Sequence, residues 1–315
     1  MKDLGNLHYF LGLKVTQSPQ GLFLSQLEYA RDILIRAELH DSKPIATPMV
    51  VFHHLTSDGP LFHLPTIYRS LVGLLQYLTI TRPDITHAVN SVSQFMHAPR
   101  ESHFQAVKRI LRYVKGTLHF GLNINSSSHL NILTFSDADW AGCPETSPST
   151  SGYAIFMGDN LISWTSKKQT TVSRSSTESE YRAFALTAAE VKWLLNILHD
   201  LRIQLLAQLT LLCDNTSAIF MTRNPVAQRR SRHIDIDVHF VRELVCNGIL
   251  TVKHVPSTLQ IADIFTKSPF KSLFLLFRSK LRVLPTTLDL RGDVGDNRTL
   301  QSGDNQGSNQ LENHS

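Results

Sequence analysis

The chain has 315 residues, of which 42% are hydrophobic and 18% charged, so it can bury the core of one large domain or two modest ones. A net charge of +5 and a pI near 9.1 are compatible with a nucleic-acid partner but do not require one. Three cysteines without metal-ligand spacing, and the lack of any run of about 18 apolar residues, exclude a disulfide framework, a zinc site and a membrane span.

Residues 1–126 carry a hairpin pattern followed by helical patterns. Two apolar runs flank a Ser-Pro-Gln-Gly turn at 18–21, which predicts a β-hairpin. Helical periodicity covers 27–39 and 68–80, with a proline-bearing loop between them. A further helix is predicted over 101–118, with an apolar face and a basic face. That basic face predicts either phosphate contacts or a solvated helix surface.

Residues 127–283 begin with a short polar linker, and their predicted order is strand, strand, strand, helix, strand, helix, strand, helix. Successive strands favour antiparallel pairing, whereas strand–helix–strand units favour parallel additions. The pattern therefore predicts an α/β fold, a mixed five-stranded sheet with flanking helices in which strands one and four are neighbours. Residues 284–315 are rich in Gly, Asn, Asp, Gln and Ser, which predicts a disordered polar tail.

Four acidic residues occupy separate motifs in the second region. Asp137 and Asp214 each end a strand-like apolar run, Glu180 opens a long helix, and Asp263 opens a late one. On the predicted sheet they meet at one edge, where packed carboxylates cannot all ionise without a counter-charge. Oxygen ligands favour Mg²⁺ or Mn²⁺. Two such ions about 4 Å apart would support an in-line phosphodiester displacement.

Each carboxylate taken alone also fits an ordinary role, as a turn former or a residue at a helix N-terminus. Asp139 rivals Asp137, and Glu178 rivals Glu180, because each lies two residues away. Asp137 is preferred because it ends the apolar strand-like run NILTF (131–135), from which only Ser136 separates it. The joint order and context of the four residues favour a metal site over four unrelated structural roles.

Six segments of the second region together resemble the ribonuclease H domain of a copia-type LTR retrotransposon polyprotein of plant origin. They are FSDADWAG, STSGYAIFMGDNLISWTSKKQ, SRSSTESEYRA, LLCDNTSAI, RHIDIDVHFVRE and HVPSTLQIADIFTK. Upstream, MKDLGNLHYFLGLKV, YRSLVGLLQYLTITRPDITHAVNSVSQFM and HFQAVKRILRYVKGT resemble the C-terminal part of the adjoining reverse transcriptase. The resemblance covers roughly residues 1–283 and implies a ribonuclease H-like fold after a partial connection or thumb-like α+β segment.

The resemblance implies that Asp137, Glu180, Asp214 and Asp263 are the catalytic metal ligands for cleaving RNA in RNA–DNA hybrids. Glu180 is preferred over Glu178 because "EYRA" matches the family's second carboxylate. Relatives of the cellular type often carry a mobile histidine near the last aspartate. His254 is the candidate here, although it also fits an ordinary residue of the fifth strand.

Two basic segments are candidate contacts to the backbone of the hybrid, which is a polyanion. They contain Arg223, Arg229, Arg230 and Arg232, and the weaker pair Lys167 and Lys168. Recognition of minor-groove shape and 2′-hydroxyls would favour a hybrid without base specificity.

The chain lacks the paired-aspartate motif of the polymerase, so we expect no DNA synthesis from it alone. The remaining polymerase portion is then a candidate partner, with no membrane involved. The expected location is intracellular, cytoplasmic or nuclear, or a virus-like particle in an intact element. The alternative function is a non-catalytic nucleic-acid-binding or inactive remnant. An integrase is disfavoured, because there the glutamate comes last.

Overall fold

The computed structural model describes residues 7–51, 55–126, 129–142, 148–205, 208–223 and 234–286. The strands are β1 (Tyr9–Phe10), β2 (Leu13–Ser18), β3 (Gly21–Ser25), β4 (Phe120–Asn125), β5 (Ile132–Asp139), β6 (Thr150–Met157), β7 (Asn160–Lys168), β8 (Leu209–Cys213), β9 (Leu250–His254) and β10 (Val283–Pro285). The helices are α1 (Leu27–Arg36), α2 (Pro65–Leu78), α3 (Thr86–Ser93), α4 (Glu101–Lys115), α5 (Ser176–Asp200), α6 (Thr216–Arg223), α7 (Asp235–Cys246) and α8 (Lys271–Lys280). Short 3₁₀ helices span Pro83–Ile85, Ser257–Leu259 and Ile261–Phe265.

The first sheet is antiparallel throughout, with the strand order β1-β2-β3-β4-β10. The hairpin predicted from the turn sequence is present as β2 and β3, with Ser18 opposite Gly21. Gly21 has a φ of +146°, and a Cβ atom there would lie 2.0 Å from the carbonyl oxygen of Ile124 on β4. Glycine is therefore required for β3 and β4 to approach each other at this end of the sheet.

The basic face of α4 holds a loop of the first region. Arg112 Nε donates to the carbonyl oxygen of Lys43 at 2.7 Å, and Lys115 Nζ donates to that of Ser42 at 2.6 Å. Arg109 Nη2 donates to Thr47 Oγ1 at 2.9 Å. These partly exposed cations satisfy polar groups of a segment without helix or strand, so the face holds a loop as well as meeting solvent, and phosphate contact stays a prediction.

A buried ion pair joins the 3₁₀ helix at Pro83–Ile85 to α4. Arg82 Nε and Nη2 donate to the two carboxylate oxygens of Asp84 at 3.0 and 2.8 Å. Arg82 Nη1 donates to the carbonyl oxygen of Thr117 at 2.9 Å, and the Tyr113 hydroxyl donates to Asp84 Oδ2 at 2.5 Å. The bidentate geometry and the additional bonds leave this carboxylate fully compensated.

The second sheet is mixed, with the order β7-β6-β5-β8-β9. β5, β6 and β7 pair antiparallel, whereas β5 with β8 and β8 with β9 pair parallel. The mixed five-stranded sheet with flanking helices, and the pairing of its first and fourth strands, are confirmed. This order brings the carboxyl ends of β5, β8 and β9 to one edge.

Different parts of the chain cover the two faces of the second sheet. On one face, Tyr153, Ile155 and Leu211 share an apolar cluster with α5 and α7. On the other face, Phe135 and Phe156 share a cluster with α2, α3 and α4. Successive strand residues point to opposite faces, so both halves of each strand's apolar pattern are buried. The described residues up to Pro285 accordingly belong to one compact unit.

The last helix and strand return to the first sheet. β10 pairs with β4, and Phe274 and Phe277 of α8 lie in the cluster that contains Tyr113. Helices were predicted over about 260–283, and this segment contains the 3₁₀ helix Ile261–Phe265 and α8, followed by β10. The divisions at residues 126 and 283 stay a prediction about domain organisation. Residues 287–315, most of the predicted polar tail, lie outside the described residues.

Among the described residues, no helix is both long enough and apolar enough to cross a lipid bilayer.

Candidate metal centre

The parallel pairing of β5 and β8 places Asp137 and Asp214 side by side. Phe135 of β5 is in register with Leu212 of β8. Two residues further along each strand direction, the chain reaches Asp137 and Asp214. Asp137 is 1% exposed, and Asp214 is partly exposed just beyond the end of β8. Neighbouring parallel strands thus deliver two carboxylates to one edge of the sheet.

Glu180 reaches the same edge from the first turns of α5. The helix begins after Ser175, whose hydroxyl accepts the backbone N–H of Glu178 at 3.1 Å. Glu180 is 5% exposed on the side of α5 that faces the sheet. Carboxylate oxygens of Asp137, Glu180 and Asp214 all lie within 4.8 Å of one another.

Asp263 comes in on the 3₁₀ helix at Ile261–Phe265, which is anchored on β5. The fully buried Gln260 donates from Nε2 to the carbonyl oxygen of Ser136 at 3.0 Å, and its Oε1 accepts the N–H of Ala262 at 3.3 Å. Gly152, opposite Asp137 on β6, has no side chain that would obstruct this approach. A Cβ atom there would lie 2.7 Å from Thr266 Cγ2. The missing side chain lets the 3₁₀ segment lie directly on the sheet.

Lys267 connects Asp263 to the other carboxylates. Its Nζ lies 3.1 Å from Asp263 Oδ1 and 3.5 Å from Asp137 Oδ1. The Thr266 hydroxyl donates to Asp137 Oδ2, and the Ser257 hydroxyl donates to Asp214 Oδ2 at 2.8 Å. The structure therefore brings three of the four predicted carboxylates into one cluster and places the fourth beside them across an ammonium group.

Burial and mutual repulsion favour the protonated carboxyl groups. Burial raises the pKa of Asp137, although Lys267 and Thr266 oppose the rise. Burial, with the charges of Asp137 and Asp214, raises the pKa of Glu180 well above its ordinary value. Burial and the Asp137 charge raise the pKa of Asp263 to about 7. Negative charge is thus under-compensated at this edge, which is the electrostatic condition for binding a cation.

Lys267 carries the opposite shift. Burial lowers its pKa, but the negative charges of Asp137 and Asp263 outweigh that effect and raise the pKa above the ordinary value for lysine. The group therefore stays an ammonium ion at neutral pH.

The two rivals of the predicted ligands lie outside the three-residue cluster. Glu178 Oε2 accepts the N–H of Arg174 at 2.9 Å, and Oε1 pairs with Arg182 at 3.0 Å, so this carboxylate completes the N-terminus of α5. Asp139 is partly exposed at the end of β5, opposite Thr150.

His254 lies at the carboxyl end of β9, opposite Cys213, and is exposed. Its place on the fifth strand is confirmed, and a role as a mobile histidine stays a prediction.

The structure describes three of the six predicted basic contact residues, Arg223, Lys167 and Lys168. Arg223, the last residue of α6, donates from Nη2 to the carbonyl oxygen of Val252 at 3.1 Å. Lys167 and Lys168 end β7 and, together with Arg182, line a cleft of about 160 Å³. Arg229, Arg230 and Arg232 lie outside the described residues.

Sequence reasoning missed the residues that orient the carboxylates: Ser257, Gln260, Thr266 and Lys267. The four-residue spacing between Asp263 and Lys267 was a visible signal for an ion pair. Gln260 and Ser257 left no signal, because their partners, Ser136 and Asp214, are distant in the chain.

Several known proteins resemble this chain in sequence. The retrovirus-related Pol polyprotein from transposon RE1 of Arabidopsis thaliana is 46% identical over 284 residues, which make up 90% of this chain and 19% of that polyprotein. The corresponding polyprotein from transposon RE2 is 44% identical over 285 residues, 90% of this chain and 20% of that protein. The uncharacterized mitochondrial protein AtMg00810 of Arabidopsis thaliana is 54% identical over 193 residues, 61% of this chain and 80% of that protein.

The chain thus spans about a fifth of the length of the RE1 and RE2 polyproteins. No model of a protein family matches the sequence. Among solved structures, LC11-RNase H1 in complex with an RNA/DNA hybrid has a TM-score of 0.35 and 11% sequence identity, covering 43% of this chain and 94% of that one. This score is low, so the relationship of the chain to known proteins rests on the sequence matches.

Proposed function

Because the chain belongs to the retrovirus-related Pol polyproteins of plant copia-type transposons, we propose that it is the ribonuclease H part of such a polyprotein and cleaves RNA in RNA–DNA hybrids. The observation that carries the proposal is the cluster of Asp137, Glu180 and Asp214 at the edge where β5 and β8 run parallel. Asp263 completes the family's set of four carboxylates. The proposed division assigns residues 1–126 to the reverse transcriptase and 127–283 to the ribonuclease H domain.

The residues present fit a divalent metal. The donors are carboxylate oxygens, which suit Mg²⁺ or Mn²⁺ better than zinc. Four carboxylates share one neighbouring ammonium, that of Lys267, among the described ion pairs. The proposed cofactor is two such ions. When bound, they would activate a water molecule and stabilise the charge that develops on the leaving oxygen.

The chain's own residues hold and orient the ligands. Thr266 and Ser257 each donate a hydrogen bond to one oxygen of a carboxylate, Asp137 and Asp214 respectively, and so restrict the orientations of these two side chains. Gln260 fixes the segment that bears Asp263 to β5. Ligands fixed in this way lose little side-chain entropy on binding a cation, which supports a preformed site.

The proposed substrate contacts are electrostatic. Lys167 and Lys168 present positive charge beside Arg182 in one cleft next to β7. Arg223, the last residue of α6, contacts β9, the strand at the opposite edge of the second sheet. The proposal extends to Arg229, Arg230 and Arg232. Binding that depends on phosphate contacts weakens steeply as the salt concentration rises.

A direct test is cleavage of end-labelled RNA–DNA hybrid by the purified chain with Mg²⁺ or Mn²⁺. We expect cleavage by the unaltered chain and none by the double variant Asp137→Asn, Asp214→Asn. Asp159→Asn, in the exposed turn after β6, is the matched control and retains activity. Cleavage by the double variant at the wild-type rate would refute the assignment. Hybrid binding without cleavage by the unaltered chain would instead support the non-catalytic alternative.

The rest of the polyprotein is the proposed partner. Tyr9, Phe10 and Leu11 at edge strand β1 are 65, 57 and 73% exposed, an apolar group that the described residues leave uncovered. We propose an intracellular location in the same context, in the cytoplasm, the nucleus or a virus-like particle. Replacing Tyr9 and Leu11 by serine should raise solubility without lowering the melting temperature. A lowered melting temperature would show that these side chains belong to the fold.

A further inference from the structure

Lys267 lies where a cation would be expected to bind. Its Nζ is 3.5 Å from Asp137 Oδ1 and 3.1 Å from Asp263 Oδ1, so it bridges the three-carboxylate cluster and the fourth carboxylate. Thr266 occupies the other oxygen of Asp137. Adjacent residues of one segment therefore engage both oxygens of the central aspartate, and Asp263 precedes them in the same segment.

The centre has two sides, the three-carboxylate cluster and the Asp137–Asp263 pair, and they differ in the positive charge that compensates their carboxylates. Asp137, Glu180 and Asp214 approach one another within 4.8 Å, and the described ion pairs give neither Glu180 nor Asp214 a cationic partner. Asp263 shares its charge with the ammonium. Lys267 acts on Glu180 and Asp214 only from beyond ion-pair distance, so a divalent ion among Asp137, Glu180 and Asp214 would meet less repulsion than one between Asp137 and Asp263, where the ammonium lies at contact distance.

We propose that Lys267 is a tethered cation that competes with the second divalent ion for the Asp137–Asp263 side of the centre. The inference rests on the proposed metal-dependent function and adds an order of binding to it. The first ion binds tightly to Asp137, Glu180 and Asp214, and the second binds only when the ammonium moves aside. The Lys267 side chain is 41% exposed, so it has a path to solvent.

Counting bound Mn²⁺ by electron paramagnetic resonance of the free ion tests the proposal without an activity assay. In the unaltered chain we expect one tight site and a second that is weaker by about tenfold or more, because like charges repel strongly at a partly buried edge. Lys267→Met should tighten the second site by about the same factor. Lys267→Arg keeps the charge, so its second site should stay weak.

Lys271→Met is the matched control. It removes the same charge from the exposed first turn of α8, and it should leave both sites unchanged. If Lys267→Met leaves the second site as weak as before, or the unaltered chain already binds two ions equally, the competition is refuted while the metal centre stands. If the unaltered chain binds no Mn²⁺ at all, both the metal centre and the competition fail.

A measurement on the unaltered chain protects the test against a variant that does not fold. The ¹⁵Nζ resonance of Lys267, identified by its loss in Lys267→Arg, can be followed through a Mg²⁺ titration. We expect it to change with the second equivalent and not with the first. A resonance that stays constant through both equivalents would overturn the proposal.

Discussion

Asp84 in the first region and Asp137 in the second are both buried aspartates, yet their charges are compensated in different ways. Burial raises the pKa of Asp84, but the paired Arg82, with Tyr113, reverses that effect and leaves the pKa below its ordinary value. Burial also raises the pKa of Asp137, and there Lys267 and Thr266 do not cancel the rise. The first carboxylate has its own guanidinium, whereas the second shares one ammonium with its neighbours.

The difference follows from how the chain reaches each site. Arg82 and Asp84 are two residues apart, so the partner arrives with the acid and the pair closes within the first region. Asp137, Glu180 and Asp214 are brought together by strand order and a crossing helix, and each adds negative charge. A local pair is a structural element, whereas a non-local gathering of like charges with a single shared ammonium is under-compensated and can serve chemistry.

The largest expected effect comes from breaking the local pair. Arg82→Ala leaves Asp84 buried without its partner, which typically costs about 3–5 kcal/mol of unfolding free energy. Arg31→Ala removes an exposed ion pair with Glu28, and its cost should be about 0–1 kcal/mol. Urea unfolding followed by circular dichroism measures both. Equal costs would show that the Arg82 pair contributes no more to stability than an exposed one.

Saturating the carboxylate site of the second region with Mg²⁺ should raise the free energy of unfolding of the chain. An ion that binds only the folded chain contributes about 2.7 kcal/mol when its concentration is 100 times its dissociation constant. The increase should vanish in Asp137→Asn and persist in Asp159→Asn. Thermal unfolding with and without Mg²⁺ measures it. An unchanged increase in Asp137→Asn would place the bound ion elsewhere.

Without metal, the same site should make stability fall as pH rises. The folded pKa of Asp263 is raised to about 7, whereas an unfolded aspartate titrates near about 3.9. Between these values the folded chain holds a proton that the unfolded chain has lost. Stability from this group is therefore complete below about pH 4 and is lost as the pH rises through about 7, at up to about 1.4 kcal/mol per pH unit.

The difference between the unaltered chain and Asp263→Asn isolates this group from other titrations. Urea unfolding at several pH values gives both curves, and their difference should fall with rising pH in metal-free buffer and flatten with saturating Mg²⁺. A difference that rises with pH would contradict the raised pKa. Asp84, whose pKa is lowered, contributes in the opposite direction.

The smallest effect separates the two glutamates of α5. Glu178→Gln weakens the ion pair with Arg182 at the helix N-terminus, so we expect a loss of about 0.3–1 kcal/mol with Mg²⁺ stabilisation intact. Glu180→Gln should instead abolish most of the Mg²⁺ stabilisation. Paired thermal scans with and without Mg²⁺ compare the variants. Loss of the Mg²⁺ effect in Glu178→Gln would make Glu178 the ligand.

Periodicity and turn chemistry were enough to predict the hairpin at Ser18–Gly21, the amphipathic helices and the mixed five-stranded sheet, because these depend on neighbours in the chain. The pairing of β5 with β8 followed from the strand–helix–strand order. That pairing was enough to expect Asp137 and Asp214 together.

Local patterns did not predict which layer would cover each face of the second sheet. Phe135 and Phe156 share an apolar cluster with helices of the first region, and α8 and β10 return to the first sheet, because apolar surface is buried by whatever complementary surface is near in space. The basic face of α4 looked free in sequence, yet distant carbonyl groups at Ser42 and Lys43 take up two of its cations.

The sequence by itself determined that the chain has four well-spaced carboxylates and the order of elements that could gather them. Only the tertiary structure decided that Asp137, Glu180 and Asp214 form one cluster, and that Lys267 lies between Asp137 and Asp263. The physical reason is range. Helix and strand formation depend on residues a few positions apart, whereas the charge balance of a buried site depends on every group that folding brings within a few ångströms.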